Sequence, residues 1–275
     1  MSMYCIENEE LRVEIASLGC ELKRVYFKKT GQDVLYDGTG EWGYSDHVLF
    51  PIIGDNRAFS IDGHAHFIKG NHGFARYADF VCLEHTPTSL TLSLTHQADD
   101  SYPFDCEIRV RTYLEGNKII RDSEVYSLSH KEMAFQYGLH PAFVCDFADA
   151  TLCIEEGTIL LEEEGGVIQR RFPWPHPNQW KIDRSYIEKR DTLIVTNPKG
   201  KVSFKNSQGR TITLLSPCPY FAFWTPKKPR KNDFFCMESW YGLSPYKGMP
   251  LELGDRDNAQ KTKDIARYHD VLIIE

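Results

Sequence analysis

Apolar and polar residues alternate along most of the chain, in short runs separated by glycine, proline and asparagine. Leu11, Val13 and Ile15 fall on one side of the run LRVEIAS, and the run SLTLSLTH at 89–96 repeats the pattern. A period of two is typical of a strand with one buried face. The chain is therefore predicted to be built from β-strands.

Some of these runs form predicted hairpins. Residues 104–127 contain two alternating runs joined at Glu115-Gly116-Asn117, and residues 201–215 contain another pair that turns near Gln208-Gly209. Glycine and asparagine suit such turns because they tolerate positive φ. Further strands are predicted at YFAFW, at DFFCMESW and at the terminal VLIIE.

Amphipathic helices are almost absent from the pattern. Residues 256–268, RDNAQKTKDIARY, lack a clear apolar stripe and are predicted to form a loop. No linker, repeat or low-complexity tract marks a domain boundary. The pattern predicts an all-β fold, a large single antiparallel domain of the sandwich type over residues 1–275.

Composition limits the partners of this domain. The chain is 41% hydrophobic and 13% aromatic, enough for one extensive core. Its 32 basic and 39 acidic residues give a net charge of -7, which argues against nucleic acid or a membrane as the main partner. The eight cysteines contain no C-x-x-C pair, so we expect buried thiols in a reducing, cytoplasmic compartment. The sequence specifies no oligomeric state.

One candidate for chemistry is His140, at the end of the strand-like run MAFQYGLH. Alternation puts Tyr137 and Leu139 on the core side and Gly138 and His140 on the other. The gap at Gly138 is predicted to let a ligand approach the backbone, and Pro141 ends the ladder. The alternative is a histidine that serves packing alone.

A second candidate is Glu238, in the run DFFCMESWYG. Alternation places Cys236, Glu238 and Trp240 on one face, opposite Met237. A carboxyl group in so apolar a strand is predicted to have a raised pKa, which suits a general base. Trp240 beside it offers an aromatic plane for a sugar. The alternative is an edge glutamate held in a salt bridge.

Histidines and cations elsewhere supply candidate binding groups. In GNHGFAR, an extended segment would put His72 and Arg76 on one side, suited to a polyhydroxylated or anionic ligand; a structural loop is the alternative. His64 and His66 follow a predicted turn and are interpreted as solvated rather than metal-binding. The run TPKKPRKND at 225–233 is interpreted as a solvated loop or as a rim for a phosphorylated substrate.

Several separated motifs together resemble the aldose 1-epimerase (galactose mutarotase-like) superfamily, and most nearly its LacX-type branch. The resemblance runs from about residue 5 to the C-terminus. The motifs that carry it are FPIIGDNRAF, NHGFAR, YPFDCEIRVRTYL, YGLHPAF, RDTLIV and FFCMESWYG.

The resemblance implies a β-supersandwich and an isomerase that interconverts the α and β anomers of a hexose with no cofactor and no metal. Carried over by motif, His140 would be the general acid and Glu238 the general base. His72 and Asp191 would bind the sugar hydroxyls. The partner implied is a small-molecule sugar or sugar phosphate.

Two positions depart from the family pattern. Relatives often have Gly-Arg where this chain has Gly54-Asp55, so the family's arginine is absent or shifted to Arg57. Relatives commonly have Glu-Pro where Ser239 follows Glu238 here. The first departure affects substrate anchoring, and neither removes the acid or the base.

Three alternative functions stay open on the sequence. A hexose-phosphate 1-epimerase would use the same acid and base, with Arg76, Arg57 or the Lys227–Lys231 segment binding phosphate. A carbohydrate-binding protein without catalysis would use the same pocket. A metal-dependent β-barrel enzyme is the third.

Overall fold

The computed structural model describes residues 1–40, 42–55, 58–129, 131–148, 150–154, 159–173, 177–196, 199–205, 210–227 and 233–275, with 159 and 160 described by their backbone alone. Strands dominate these residues, as the alternating pattern predicts. One short α-helix, α1 (Arg184–Glu188), begins after Asp183, whose side chain accepts a hydrogen bond from the backbone N–H of Ser185 at 2.9 Å.

The strands of the described residues are numbered in chain order. They are β1 (Met3–Glu7), β2 (Leu11–Ala16), β3 (Glu21–Phe27), β4 (Gln32–Asp33), β5 (Val48–Leu49), β6 (Phe59–Ile61), β7 (His64–His66), β8 (Val81–His85), β9 (Ser89–His96), β10 (Cys106–Glu115), β11 (Lys118–Ser127), β12 (Met133–Phe135), β13 (Tyr137–Leu139), β14 (Ala142–Val144), β15 (Thr151–Ile154), β16 (Ile159–Glu164), β17 (Val167–Pro173), β18 (Gln179–Lys181), β19 (Thr192–Thr196), β20 (Lys201–Lys205), β21 (Thr211–Leu215), β22 (Tyr220–Trp224), β23 (Phe234–Tyr241), β24 (Gln260–Thr262) and β25 (Ile265–Ile274).

Two large antiparallel sheets form the body of the fold. The nine-stranded sheet has the order β18-β15-β20-β21-β25-β11-β10-β9-β8. The eight-stranded sheet has the order β17-β16-β19-β22-β23-β13-β5, and β14 also pairs with β23. A four-stranded sheet, β1 to β4, and the pairs β12-β24 and β6-β7 complete the structure. The all-β, supersandwich prediction is confirmed.

The main core lies between the two large sheets. Phe204 on β20 meets Phe235 on β23 with ring centroids 5.9 Å apart, and Tyr137 on β13 stacks on Tyr268 on β25 at 4.5 Å. Met237 joins the same apolar cluster. The odd-numbered positions of β23 therefore face the nine-stranded sheet, as its alternation predicts, and the even-numbered positions face away from it.

The predicted hairpins and cysteine states agree with the structure where it describes them. The turn between β10 and β11 lies at Gly116-Asn117, whereas Gln208-Gly209 lies outside the described residues. All eight cysteines are free thiols. No helix in the described part of the chain has the length and apolar character needed to cross a membrane.

The loop prediction for residues 256–268 is wrong in its second half. Gln260–Thr262 forms β24 against β12, and Ile265 already belongs to β25. The pattern was misleading because two buried positions of β25 are polar: Tyr268 is 6% exposed and Asp270 is 2% exposed. Buried polar residues break the apolar alternation from which a strand is recognised.

A buried ion pair ties the nine-stranded sheet to the segment before β5. Arg121 on β11 donates from Nη1 to Oδ2 of Asp46 at 2.6 Å and from Nη2 to the carbonyl of Cys20 at 2.9 Å. Oδ1 of Asp46 accepts a hydrogen bond from the backbone N–H of His140 at 3.2 Å. The pair therefore fixes the backbone of a candidate catalytic residue.

We expect Arg121→Met to destabilise the protein by about 3–5 kcal/mol, because it leaves the Asp46 carboxylate buried without its cation. The measurement is urea unfolding. The matched control is Arg24→Met: Arg24 pairs with Asp33 at 2.6 Å, but the two side chains are 42% and 48% exposed. Loss of the Arg24–Asp33 pair should lower the free energy of unfolding by less than about 1 kcal/mol. Equal losses in the two variants would contradict this view of the buried pair.

Candidate active site

A pocket of about 220 Å³ opens on the face of the eight-stranded sheet that is turned away from the nine-stranded sheet. Six of the site residues predicted from the sequence line it: His72, Arg76, His140, Asp191, Glu238 and Trp240. The seventh, Arg57, lies outside the described residues. The lining also includes Trp42, Asn71, Glu163, Thr192 and Trp224. Residues distant in the chain therefore converge as the motifs predict.

His140 and Glu238 meet directly in this pocket. Nε2 of His140 lies 3.3 Å from Oε2 of Glu238, and their side chains are 7% and 1% exposed. β23 pairs with β22 on one side and with β13 and β14 on the other, so Glu238 is on a central strand. The alternative of an edge glutamate is excluded by this pairing.

The expected ligand approach at Gly138 is wrong. A Cβ atom built there would lie 2.7 Å from the carbonyl oxygen of Ser239, 3.2 Å from Cδ1 of Leu49 and 3.3 Å from Cδ1 of Trp240. Neighbouring strands therefore occupy the space beside the glycine. Gly138 is needed for close packing around Trp240, because any larger side chain would collide with the sheet.

His72 reaches the pocket from a turn. Residues 72–76 are not extended, so the condition for His72 and Arg76 to share one side of a strand is not met: His72 has φ +65°, and Ala75–Tyr77 is a 3₁₀ turn. Gly73 is required because its Cβ would lie 2.1 Å from the carbonyl oxygen of Phe50. Nδ1 of His72 accepts a hydrogen bond from the Gly54 N–H at 3.2 Å, so the neutral ring carries its proton on Nε2.

Arg76 contributes a buried cation to the lining. Its guanidinium lies 4.6 Å from the ring centroid of Tyr44 and 5.2 Å from that of Tyr77. Arg76 is 7% exposed, and its Nε has no hydrogen-bond partner within the described structure. An unsatisfied buried donor is costly, so this group is well placed to bind a ligand.

Asp191 is held on the opposite wall. Its Oδ1 accepts a hydrogen bond from Nε1 of Trp224 at 3.1 Å, and its Oδ2 accepts one from the N–H of Gly165 at 3.1 Å. Asp191 has φ +64°, a left-handed conformation that aspartate tolerates better than most residues. These contacts orient both carboxylate oxygens of a group that borders the cavity.

Trp240 makes a different contact from the sugar stacking expected of it. Its ring is 1% exposed, and its Nε1 donates to Oε2 of Glu238 at 2.9 Å. The more accessible aromatic surface comes from Trp42 and Trp224, whose ring centroids are 5.8 Å apart with an interplanar angle of 63°. Trp42 also stacks on His140 at 4.8 Å.

Sequence reasoning missed Trp42, Trp224, His47 and Glu163. Trp42 lies in the run GEWGYSDH, where an aromatic residue among glycines was a usable signal for a binding loop. His47 is fully buried behind His140, with ring centroids 4.8 Å apart. Glu163 sits in LEEEGG, where a run of glutamates looks solvated although this one is 5% exposed.

Burial controls the protonation of the His140–Glu238 pair. Desolvation, followed by the charge of Arg76, lowers the pKa of His140 to about 3. Desolvation raises the pKa of Glu238 well above its ordinary value, against the hydrogen bond from Trp240. Both shifts favour the uncharged forms of the pair, a protonated carboxyl group beside an unprotonated imidazole. Desolvation likewise lowers the pKa values of His47 and His72.

The other candidate sites do not reproduce this arrangement. His64 and His66 both lie on β7, where they pair with Ile61 and Phe59 of β6 across the turn at Asp62-Gly63, and His64 is exposed. A cavity of about 300 Å³ elsewhere has one carboxyl group, Asp257, and no histidine among its described lining residues. Lys227 forms a salt bridge with Glu164 at 3.8 Å, and 228–232 lie outside the described residues.

Comparison with known proteins identifies the family. The family model described as aldose 1-epimerase matches residues 2–250, and the chain belongs to this family. No curated protein sequence matches significantly. The family assignment therefore comes from the family model, and the LacX-type branch stays a prediction.

Solved structures share the fold over nearly their whole length. A galactose mutarotase related enzyme from Lactobacillus acidophilus has a TM-score of 0.92 at 23% identity, covering 100% of this chain and 97% of that chain. A galactose mutarotase-like protein from Lactobacillus casei has a TM-score of 0.90 at 21% identity, covering 100% of both. Galactose 1-epimerase from Lactobacillus acidophilus has a TM-score of 0.76 at 15% identity, covering 99% of this chain and 94% of that chain. The fold is therefore galactose mutarotase-like.

Glu163 generates a testable pH effect on stability. Burial raises its pKa from 4.5 to about 7, although Ser244 donates a hydrogen bond to it. Between these values the folded protein keeps a proton that the unfolded chain has lost, so this group lowers the free energy of unfolding as pH rises. Glutamine cannot lose this proton, so the free energy of unfolding of Glu163→Gln relative to wild type should rise by up to about 3 kcal/mol between about pH 5 and pH 8.

The measurement is urea unfolding at both pH values, and the matched control is Glu164→Gln. Glu164 is the next residue on β16, and its side chain is 71% exposed, so its removal should leave the pH dependence unchanged. A parallel pH dependence in wild type and Glu163→Gln would contradict the assignment.

Proposed function

We propose that the protein is an aldose 1-epimerase that interconverts the α and β anomers of an unphosphorylated hexose without a cofactor. The observation that carries the proposal is the 3.3 Å contact between Nε2 of His140 and Oε2 of Glu238 in a hexose-sized pocket. Membership of the aldose 1-epimerase family supports the reaction class. We further propose that residues 1–275 act as one domain, and the free cysteines fit a cytoplasmic location.

Ring opening needs one group that accepts a proton and one that donates a proton. Glu238 as carboxylate removes the proton from the C1 hydroxyl, and His140 as imidazolium gives a proton to the ring oxygen. The C1–O5 bond breaks as the C1 oxygen becomes a carbonyl. Rotation about C1–C2 followed by the reverse transfers closes the ring as the other anomer. Each positioned proton transfer typically contributes roughly 10²–10⁴-fold in rate.

The single proton of the resting pair satisfies this mechanism. The carboxylate–imidazolium form and the resting form differ only in which group holds that proton, and 3.3 Å separates the two atoms. The pair titrates as one unit. Acid that protonates both groups removes the base, and alkali that removes the shared proton removes the acid. The limbs of a pH profile thus belong to the pair and not to one residue each.

The binding groups hold the sugar against this pair. His72 presents its Nε2–H as a donor, Arg76 presents an unsatisfied Nε–H, and Asp191 presents carboxylate oxygens for hydroxyl donors. Trp42 and Trp224 suit the apolar C–H faces of the ring. Fixing the sugar in this way supplies the orientation that proton transfer requires.

Substitution of the acid and the base tests the chemistry. We expect Glu238→Gln and His140→Asn to lose at least about a hundredfold in turnover, since each removes one proton-transfer group. Polarimetry of a freshly dissolved single anomer measures the rate. His85→Asn and Glu84→Gln, both on exposed positions of β8, are controls that should keep full activity.

Thermal unfolding should show that all four variants fold. Full activity in either active-site variant would exclude the assignment. Sugar binding by wild type without faster change in rotation would instead favour a non-catalytic carbohydrate-binding protein.

The charge of the pocket favours an unphosphorylated substrate over a hexose phosphate. Arg76 is the one cation among the described lining residues, and Asp191, Glu163 and Glu238 face the same cavity. The three carboxyl groups add no positive charge, and a single arginine gives less compensation than phosphate sites usually contain. Sequence reasoning left both substrates open, and this balance of charges supports the unphosphorylated one.

We expect glucose to be converted with at least about tenfold higher kcat/KM than glucose 6-phosphate, a difference of about 1.4 kcal/mol in transition-state binding. Polarimetry or coupled oxidation of the β-anomer measures both. Preference for the phosphate would reverse this conclusion and support the hexose-phosphate epimerase.

A further inference from the structure

Three side chains of different chemistry converge beside the pocket, and two of them, His140 and Glu238, line it. Cys236 and Glu238 are two residues apart on β23 and so share one face. His140 lies between β13 and β14, both of which pair with β23. One nitrogen of His140, Sγ of Cys236 and one carboxylate oxygen of Glu238 all lie within 4.8 Å of one another. This is the one such group found among the described residues.

The group has unused coordination capacity. Oε1 of Glu238 is buried without a hydrogen-bond partner in the described structure, and Cys236 is a fully buried free thiol. Buried polar atoms without partners cost free energy that a ligand can recover. Oε2 of Glu238 accepts a hydrogen bond from Trp240, so Oε1 stays available to a ligand.

The donor set is typical of zinc. Imidazole nitrogen, thiolate sulfur and carboxylate oxygen are the protein ligands that Zn²⁺ prefers, whereas Mg²⁺ and Ca²⁺ prefer oxygen alone. One thiolate and one carboxylate with a neutral imidazole balance the charge of a divalent ion. Neutrality matters because an uncompensated charge is costly to bury. Three protein ligands leave a fourth tetrahedral position toward the cavity.

We propose that His140, Cys236 and Glu238 bind one Zn²⁺ ion, and that the ion inhibits the enzyme. Zinc bonds of about 2.0–2.3 Å place neighbouring tetrahedral ligands about 3.5 Å apart, so the side chains must close by about 1 Å. Bound zinc occupies the lone pairs that the proposed acid and base need. The inhibition part rests on the proposed function, and the binding part does not.

Cys236 separates metal binding from catalysis. Its sulfur takes no part in the proposed proton transfers, and it does not line the described pocket. The test variant is Cys236→Ser, which keeps the size of the side chain but removes the soft donor. The matched control is Cys106→Ser on β10, another fully buried free cysteine, which lies in the nine-stranded sheet.

Isothermal titration with Zn²⁺ and with Mg²⁺ measures binding directly. We expect wild type and Cys106→Ser to bind about one Zn²⁺ per chain and no Mg²⁺, and Cys236→Ser to bind Zn²⁺ at least about tenfold more weakly. A second measurement uses wild type alone. Added Co²⁺ should give a thiolate-to-metal charge-transfer band in the near ultraviolet, so the test does not depend on the folding of a variant.

Polarimetry with added Zn²⁺ then tests inhibition. We expect zinc to slow wild type and Cys106→Ser at least about tenfold at concentrations that leave Cys236→Ser active. Equal zinc affinity in wild type and Cys236→Ser, or a cobalt complex without the thiolate band, would overturn the site. Binding without any loss of activity would overturn the inhibition. Zinc binding in a protein with no epimerase activity would refute the proposed function and support the metal site.

Discussion

The buried ion pair between Asp46 and Arg121 is the interaction on which the geometry of the pocket depends. Arg121 belongs to the nine-stranded sheet, and Asp46 belongs to the segment that covers the other sheet. The same carboxylate accepts the backbone N–H of His140. This ion pair therefore connects the core between the two large sheets to His140, which lines the pocket. The side chains of Arg121 and Asp46 are 4% and 0% exposed, so removal of either one leaves the other as a buried charge without a partner.

Burial also sets the chemical character of the site. In water a histidine and a glutamate near neutral pH would form a weak pair of a largely neutral ring and a carboxylate. In this pocket desolvation disfavours both charged forms, so the pKa of the carboxyl group is raised and the pKa of the imidazole is lowered. The same burial leaves Arg76 as an unsatisfied cation and holds His72 in a single neutral tautomer. The result is a pocket whose donors and acceptors are held in place by the fold, an orientation that the proposed proton transfer requires.

The three ligand atoms that suggest zinc binding follow from the same strand arrangement. The central strand β23 presents Cys236 and Glu238 on one face, and His140 lies between β13 and β14, which both pair with β23. An acid–base pair and a metal site use the same lone pairs, so a pocket built for one is open to the other. The thiol is the feature that distinguishes them, because proton transfer to a sugar does not need it.

The sequence by itself determined the strand content, the core face of β23 and the types of residue at the site. Alternation depends on neighbours two residues apart, so Glu238 could be assigned to the face opposite Met237 without any tertiary information. Family motifs then indicated His140, His72 and Asp191. Only the tertiary structure decided the 3.3 Å contact, the position of the proton, the stacking of Trp42 and the burial of Glu163. These depend on distances between segments far apart in the chain and on the exclusion of water, and a local pattern specifies neither. The polar inner face of β25 was missed for the same reason, since Tyr268 and Asp270 are buried by contacts that the pattern of their own strand does not contain.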